Sequence, residues 1–114
     1  MKLWIDDVRY APEGYVWCKS VNEAIQTIKL GEKNALYATT TKQSDSIIMK
    51  WWPELIDIDH DSGEFYCDGG DFIKILDWLE ETGRNYPIHI HSANPVGVEN
   101  MRRIIERNGW KEIR

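Results

Sequence analysis

Three stretches of this chain place polar side chains directly after a short apolar run. Asp6-Asp7 follows Leu3-Trp-Ile5, Asp59-His-Asp61 follows Leu55-Ile-Asp-Ile58, and His91-Ser-Ala-Asn94 follows Ile88-His-Ile90. In an open α/β sheet the ligand crevice lies just beyond the carboxyl ends of the strands. Three strands ending this way would pool their acids, histidines and serine in one place. Asp6, Asp7, Asp59 and Asp61 are hard oxygen donors, and like charges a few ångströms apart are costly unless a cation or a proton intervenes. Mg²⁺ or Mn²⁺ suits such a set, held by one or two carboxylates and otherwise by water and substrate phosphate. Asp6, Asp7 and Asp59 are the expected metal ligands. The competing reading makes the two acidic pairs ordinary polar loop starts on separate edges.

The remaining polar groups fit phosphate chemistry. His60 and His91 are candidates for general acid or base, because an unperturbed imidazole titrates near neutrality. His89, inside a strand, reads as a packed side chain. Alternation along the strand sets His89 and His91 on the face opposite Ser92, which argues against a Ser-His nucleophile pair. Ser92 is instead a candidate phosphate contact, with Asn94 beside it. Arg9, just past the first acidic pair, reads as a phosphate clamp or as a surface ion pair. The amides at Gly69-Gly70, where a helix begins, could cradle an anion or simply form a turn.

The elements that must position these groups are readable in outline. Lys2 to Asp7 is nearly continuous in apolar residues, as a strand covered on both faces is. Pro12 and Gly14 break the following loop, and Tyr15 to Lys19 forms a short strand. Only seven residues, 8–14, separate the two strands. A parallel pair normally needs a dozen or more, so the direction of the second strand stays open. Ser20-Val-Asn-Glu23 is a capping box; Val21, Ala24, Ile25 and Ile28 follow at helical spacing, and Gly31 is a suitable stop. Lys33 to Pro53 is the least legible part: Leu36 to Thr41 reads as a strand, and Ser46 to Trp52 as a short helix ended by Pro53. The loop from Ser62 to Gly70 contains three glycines. A helix is expected over Asp71 to Glu81, with Phe72, Ile75, Leu76 and Leu79 on one face and Gly83 as terminator. Pro87 to Ser92 is the next strand. Asn94-Pro95 opens a helix that carries Val98, Met101, Ile104 and Ile105 as far as Asn108-Gly109. Trp110 to Ile113 is a last strand. Strands alternating with helices predict a layered, mostly parallel α/β sheet.

At 114 residues and 42% hydrophobic content, the chain is read as one globular domain, 1–114. A net charge of −5 offers no bulk attraction to duplex nucleic acid or to an anionic membrane. The basic group Arg102, Arg103, Arg107, Lys111 and Arg114 reads as a solvated helix face. No apolar run approaches the roughly 20 residues of a membrane span, and the apolar start is too short for a signal peptide. Cys18 and Cys67 have no metal-type spacing, and are read as reduced thiols in a cytoplasmic protein.

Taken together, these residues resemble the receiver domains of response regulators. Asp6-Asp7 resemble the acidic pair after the first strand, Asp59 the phosphate-accepting aspartate, and Ser92-Ala93 the Ser/Thr-Ala pair ending the fourth strand. Ile5-Asp-Asp-Val-Arg9, Asp59-His-Asp-Ser-Gly63 and His91-Ser-Ala-Asn-Pro-Val-Gly97 are closer still to an offshoot, the cyclic-phosphate processing receiver domains. The resemblance implies a receiver- or flavodoxin-like sheet, here without the helix between strands one and two, and with residues 33–53 as an insertion. It also implies action on cyclic phosphate ends in RNA repair. Two departures bear on mechanism. The lysine that receivers carry after their fifth strand has no counterpart here, which argues against phosphorelay signalling. Asp61 and His60 are additions that favour turnover over storage of a phosphoryl group.

Three functions follow as expectations. The first is a Mg²⁺- or Mn²⁺-dependent phosphoesterase for cyclic or terminal phosphates of a nucleotide or RNA end. In it Asp59 is a metal ligand or the nucleophile, Asp61 or His60 the acid/base, and Ser92 and Arg9 stabilise phosphate oxygens. The second is a regulatory receiver. The third is a module without turnover that captures a phosphorylated ligand or binds a protein partner, for which Trp51-Trp52 in the 33–53 insertion would serve as contacts if they are not core.

Overall fold

The computed structural model describes residues 1–114. Four short strands form one parallel sheet: β1 (Lys2–Ile5), β2 (Tyr15–Cys18), β3 (Leu55–Ile58) and β4 (Ile88–Ile90), in the order β2-β1-β3-β4. Four helices accompany them: α1 (Val21–Thr40), α2 (Asp45–Trp51), α3 (Ile73–Glu81) and α4 (Pro95–Asn108). This is a receiver- or flavodoxin-like α/β architecture. No helix is long and apolar enough to cross a membrane.

β2 runs parallel to β1, with Lys2 opposite Tyr15 and Ile5 opposite Cys18. The connection through residues 6–14 makes this turn-back without a helix. Short strands explain how: a four-residue strand is only about 13 Å long, well within the reach of nine extended residues. The missing helix has a larger consequence. Parallel crossovers are right-handed, and the steps β2 to β3, β3 to β4 and β4 to the chain end all move the same way across the sheet. Their helices therefore fall on one face, where Leu3, Ile5, Cys18, Ile56, Ile58 and Ile88 join residues of α1, α3 and α4 in a single buried core. Only the β1-to-β2 step moves the other way. Without a helix there, the opposite face keeps Trp4, Tyr15, Trp17, Leu55 and His89 partly exposed.

Residues 33–53 differ from the sequence expectation. Leu36 to Thr41 is not a strand, because α1 continues through Gly31 to Thr40. Gly31, Ala35 and Ala38 extend the buried stripe of Val21, Ala24 and Ile28, and the bare Gly31 lets the end of α2 at Trp51 approach closely. A Cβ added to Gly31 would lie 2.5 Å from the Trp51 carbonyl oxygen. Helix propensity favours alanine over glycine by about 1 kcal/mol, but a backbone oxygen cannot swing aside, and overpacking costs about 1–3 kcal/mol. Gly31→Ala should therefore lower the melting temperature, the reverse of the propensity expectation. The expected short helix at Ser46–Trp52 is present as α2, and Trp52, extended before Pro53, ends it. Trp52 is 47% exposed and Trp51 partly buried.

The capping box differs in one contact. Ser20 Oγ accepts the Glu23 amide, but the Glu23 carboxylate accepts the Lys19 amide rather than that of Ser20. Trp110 to Ile113 is not a full strand: Ile88 and Glu112 form a single parallel bridge. The basic group at the C-terminal end is largely paired, Arg102 and Arg114 with Glu112, Arg103 with Glu99, and Arg107 with Glu80.

Glu32 on α1 takes a two-pronged ion pair from Arg84 and the hydroxyl of Tyr86, which tie the helix to the segment before β4. Burial disfavours the Glu32 carboxylate, but these donors outweigh it and hold the group below its ordinary 4.5. The folded chain thus prefers ionised Glu32, so this stabilisation is complete above that value and disappears as pH falls through the lower folded one. The gap in melting temperature between the wild type and Glu32→Gln should be widest above pH 4.5 and close on acidification.

Candidate metal and phosphate site

β1 and β3 are adjacent, so the residues that follow them emerge side by side at the carboxyl edge of the sheet. The Asp59 amide continues the ladder by donating to the Ile5 carbonyl at 2.9 Å, which sets Asp59 against Asp6 and Asp7. One ligand atom from each of Asp6, Asp7 and Asp59 lies within 4.8 Å of the others.

The three acids are held differently. Asp6 is fully buried; its Oδ1 accepts the amides of Val8 and Arg9, both at 2.9 Å, and its Oδ2 faces His91 Nε2 at 3.0 Å. Burial opposes its charge, but these donors prevail and keep the carboxyl below its ordinary value. Asp59, 9% exposed, accepts the His60 amide on Oδ1 at 2.7 Å. Asp7 is pushed upward, first by burial and then by the charges of Asp6, Asp59 and Asp61. An all-oxygen donor set with one member strained by its anionic neighbours fits a hard divalent cation such as Mg²⁺ or Mn²⁺.

Glycine makes the crowding practicable. Gly63 opens a 3₁₀ turn over Gly63–Phe65 with φ +54°, and a Cβ there would lie 2.2 Å from Asp7 Oδ2. Gly97, in the first turn of α4, does the same for His60: a Cβ would lie 2.5 Å from the ring.

His60 and Asp61 form a pair. Asp61 Oδ1 lies 2.8 Å from His60 Nδ1 and 3.3 Å from Asn94 Nδ2. The His60 hydrogen bond is the main influence lowering the Asp61 carboxyl, with Asn94 adding to it. His60 Nε2 makes no hydrogen bond within the chain. His60, Asp61 and Asp71 form a second compact group, but Asp71 Oδ1 already accepts the amide and hydroxyl of the buried Ser62.

The other expected residues are placed as follows. Arg9 sits at the rim, donating to the His91 carbonyl at 2.9 Å and lying 3.7 Å from Asp6 Oδ2. Ser92 Oγ accepts the Asn94 amide at 3.1 Å, while Asn94 Oδ1 caps α4 through the Gly97 amide. Gly70 is not offered to an anion: its amide donates to the Tyr66 carbonyl at 2.8 Å. Gly69, at φ +110°, packs against Val21, where a Cβ would lie 2.7 Å from the valine side chain. The Gly69-Gly70 pair therefore serves loop packing. His91 is also not an open acid or base, since both ring nitrogens face carboxylates, Asp57 at 2.6 Å and Asp6 at 3.0 Å.

Asp57, Trp4, Ser62 and Asp71 were missed by the sequence reading. Asp57 did leave a signal: an acid inside the buried run Leu55-Ile-Asp-Ile58 needs a partner. Trp4, whose ring stacks on His91, left none, because a tryptophan in a strand reads as core.

A one-sided parallel sheet with acids clustered at the ends of its first and third strands defines a receiver-type domain. More narrowly, a family model described as the cyclic-phosphate processing Receiver domain matches residues 1–107, and the chain belongs to that family. No curated protein and no solved structure matches it.

Proposed function

We propose that this domain is a Mg²⁺- or Mn²⁺-dependent phosphoesterase acting on cyclic or terminal phosphates of nucleotides or RNA ends, in the reducing cytoplasm. The observation that carries the reading is the convergence of Asp6, Asp7 and Asp59 within 4.8 Å. A cation bound there would polarise the phosphoryl oxygens as a Lewis acid.

The chain's own groups supply the rest. Arg9 offers its remaining N–H groups, and Ser92 its hydroxyl proton, to phosphate oxygens. Hydrolytic opening of a cyclic phosphodiester adds the oxygen of water to phosphorus, breaks one ester bond and returns a proton to the departing hydroxyl. His60 is arranged for that proton: Asp61 holds Nδ1 and leaves Nε2 for acid/base work, the arrangement by which a carboxylate orients a catalytic imidazole.

The test is a screen of nucleoside 2′,3′-cyclic phosphates and linear phosphomonoesters with Mg²⁺ or Mn²⁺, against the same reactions with chelator. Metal-dependent release of a monoester or of phosphate is expected, and chelation should abolish it. Saturable binding without any turnover would select a binding module instead. A stable acyl phosphate on Asp59 would select a regulatory receiver.

A further inference from the structure

Asp57 stands apart from the acid cluster, yet it is buried on the sheet face that lacks a helix. Burying a carboxylate costs several kcal/mol unless it is paired, and its partner is His91 Nδ1, 2.6 Å away. The same imidazole reaches Asp6 Oδ2 through Nε2 at 3.0 Å. Trp4 covers the ring, with centroids 3.8 Å apart and planes within 2° of parallel. With both nitrogens engaged and one face covered, His91 has no nitrogen left for a substrate. What it does contact is the one acid of the cluster that is fully buried. The amides of Val8 and Arg9 hold Asp6 from one side, and His91 holds it from the other.

The geometry points to Asp57 as a positioning residue that acts through His91 to fix the Asp6 carboxylate for cation binding. This rests on the metal reading proposed above. The route exists because no helix follows β1: the open face leaves room for the His91 ring to lie flat on Trp4 between the two acids. Carboxylates and imidazoles behind a metal ligand set its orientation, and losing one typically costs about 10–100-fold in metal affinity.

The test is Mn²⁺ titration calorimetry on the wild type, Asp57→Leu, Asp57→Asn, His91→Phe and the Asp57→Leu/His91→Phe double variant. Amide exchange of Val8 and Arg9 is followed alongside by NMR. Asp57→Leu should weaken Mn²⁺ binding about 10-fold or more, and Asp57→Asn, which keeps an oxygen acceptor for Nδ1–H, by less. If Asp57 acts only through His91, the double variant binds no more weakly than His91→Phe alone. Protection of the Val8 and Arg9 amides should fall in the same order. A merely structural staple would lower the melting temperature and leave the Mn²⁺ affinity of the folded protein unchanged. That result, or additive losses in the double variant, would overturn the proposal. Should Asp57→Leu fail to fold, unchanged affinity and unchanged amide protection in Asp57→Asn would overturn it equally. A wild type that bound no Mn²⁺ would count against the metal reading, while the Val8 and Arg9 amides would still report whether Asp57 positions Asp6.

Discussion

Asp59→Asn is expected to lose metal-dependent opening of a cyclic phosphate by about 10²-fold or more, the scale on which removal of one preorganised electrostatic group is felt. The substitution is nearly isosteric, and its oxygen can still accept the His60 amide that Asp59 accepts at 2.7 Å. The fold should therefore survive, and the loss should fall on the chemistry. Stability supplies a second readout of opposite sign. Asp59 is one of the charges that push the Asp7 carboxyl upward, so neutralising it relieves like-charge repulsion in the metal-free chain. The metal-free variant should melt at the same temperature as the wild type or higher, as expected where a functional site is held at a cost to stability. Unchanged activity in a folded Asp59→Asn protein would remove Asp59 from the mechanism.

Gly63→Ala should be nearly as damaging, though it removes no reactive group. Its φ of +54° strains any L side chain, and its Cβ would lie 2.2 Å from Asp7 Oδ2. The strain alone is worth about 1–2 kcal/mol and should appear in the melting temperature. The clash should appear in metal affinity, because Asp7 must leave the point it shares with Asp6 and Asp59. A loss of about 10-fold or more in Mn²⁺ affinity is expected, on the scale of other displaced metal-site groups. Gly83 and Gly109 provide the control, since both have φ above +60° and nothing near the added Cβ. Gly83→Ala and Gly109→Ala should lower stability similarly while leaving Mn²⁺ binding intact. Equal affinity across all three variants would show that Gly63 is only a turn.

Much of the site was legible because it depends on local rules. An apolar run followed by acids marks a strand end, so Asp6, Asp7, Asp59, His60 and Asp61 could be assigned to one edge before their distances were known. Asn94-Pro95 as a helix start and Pro53 as a stop rest on backbone chemistry that a neighbouring residue or two decide. The misreadings arose where two elements meet. Gly31 is a good helix terminator by local preference, yet it sits mid-helix because the chain at Trp51 needs room there. Thr39, Thr40 and Thr41 favour a strand locally, but the helix continues to Thr40 and their hydroxyls donate back to carbonyls one turn earlier. Gly69-Gly70 resembles an anion cradle until Val21 is placed against it.

The sequence by itself determined the alternation of strands and helices, the edge on which the polar groups gather, and the oxygen character of the donors. These follow from periodicity and from the residues adjacent to each strand end. Only the tertiary structure decided that β2 runs parallel, that one face of the sheet has no helix, and that His91 is wedged between Asp57 and Asp6 under Trp4. His91 and Asp6 are 85 positions apart in the chain. No local preference can specify such a pairing, because it exists only once β1, β3 and β4 lie side by side and bring three distant carboxyl ends into hydrogen-bonding range.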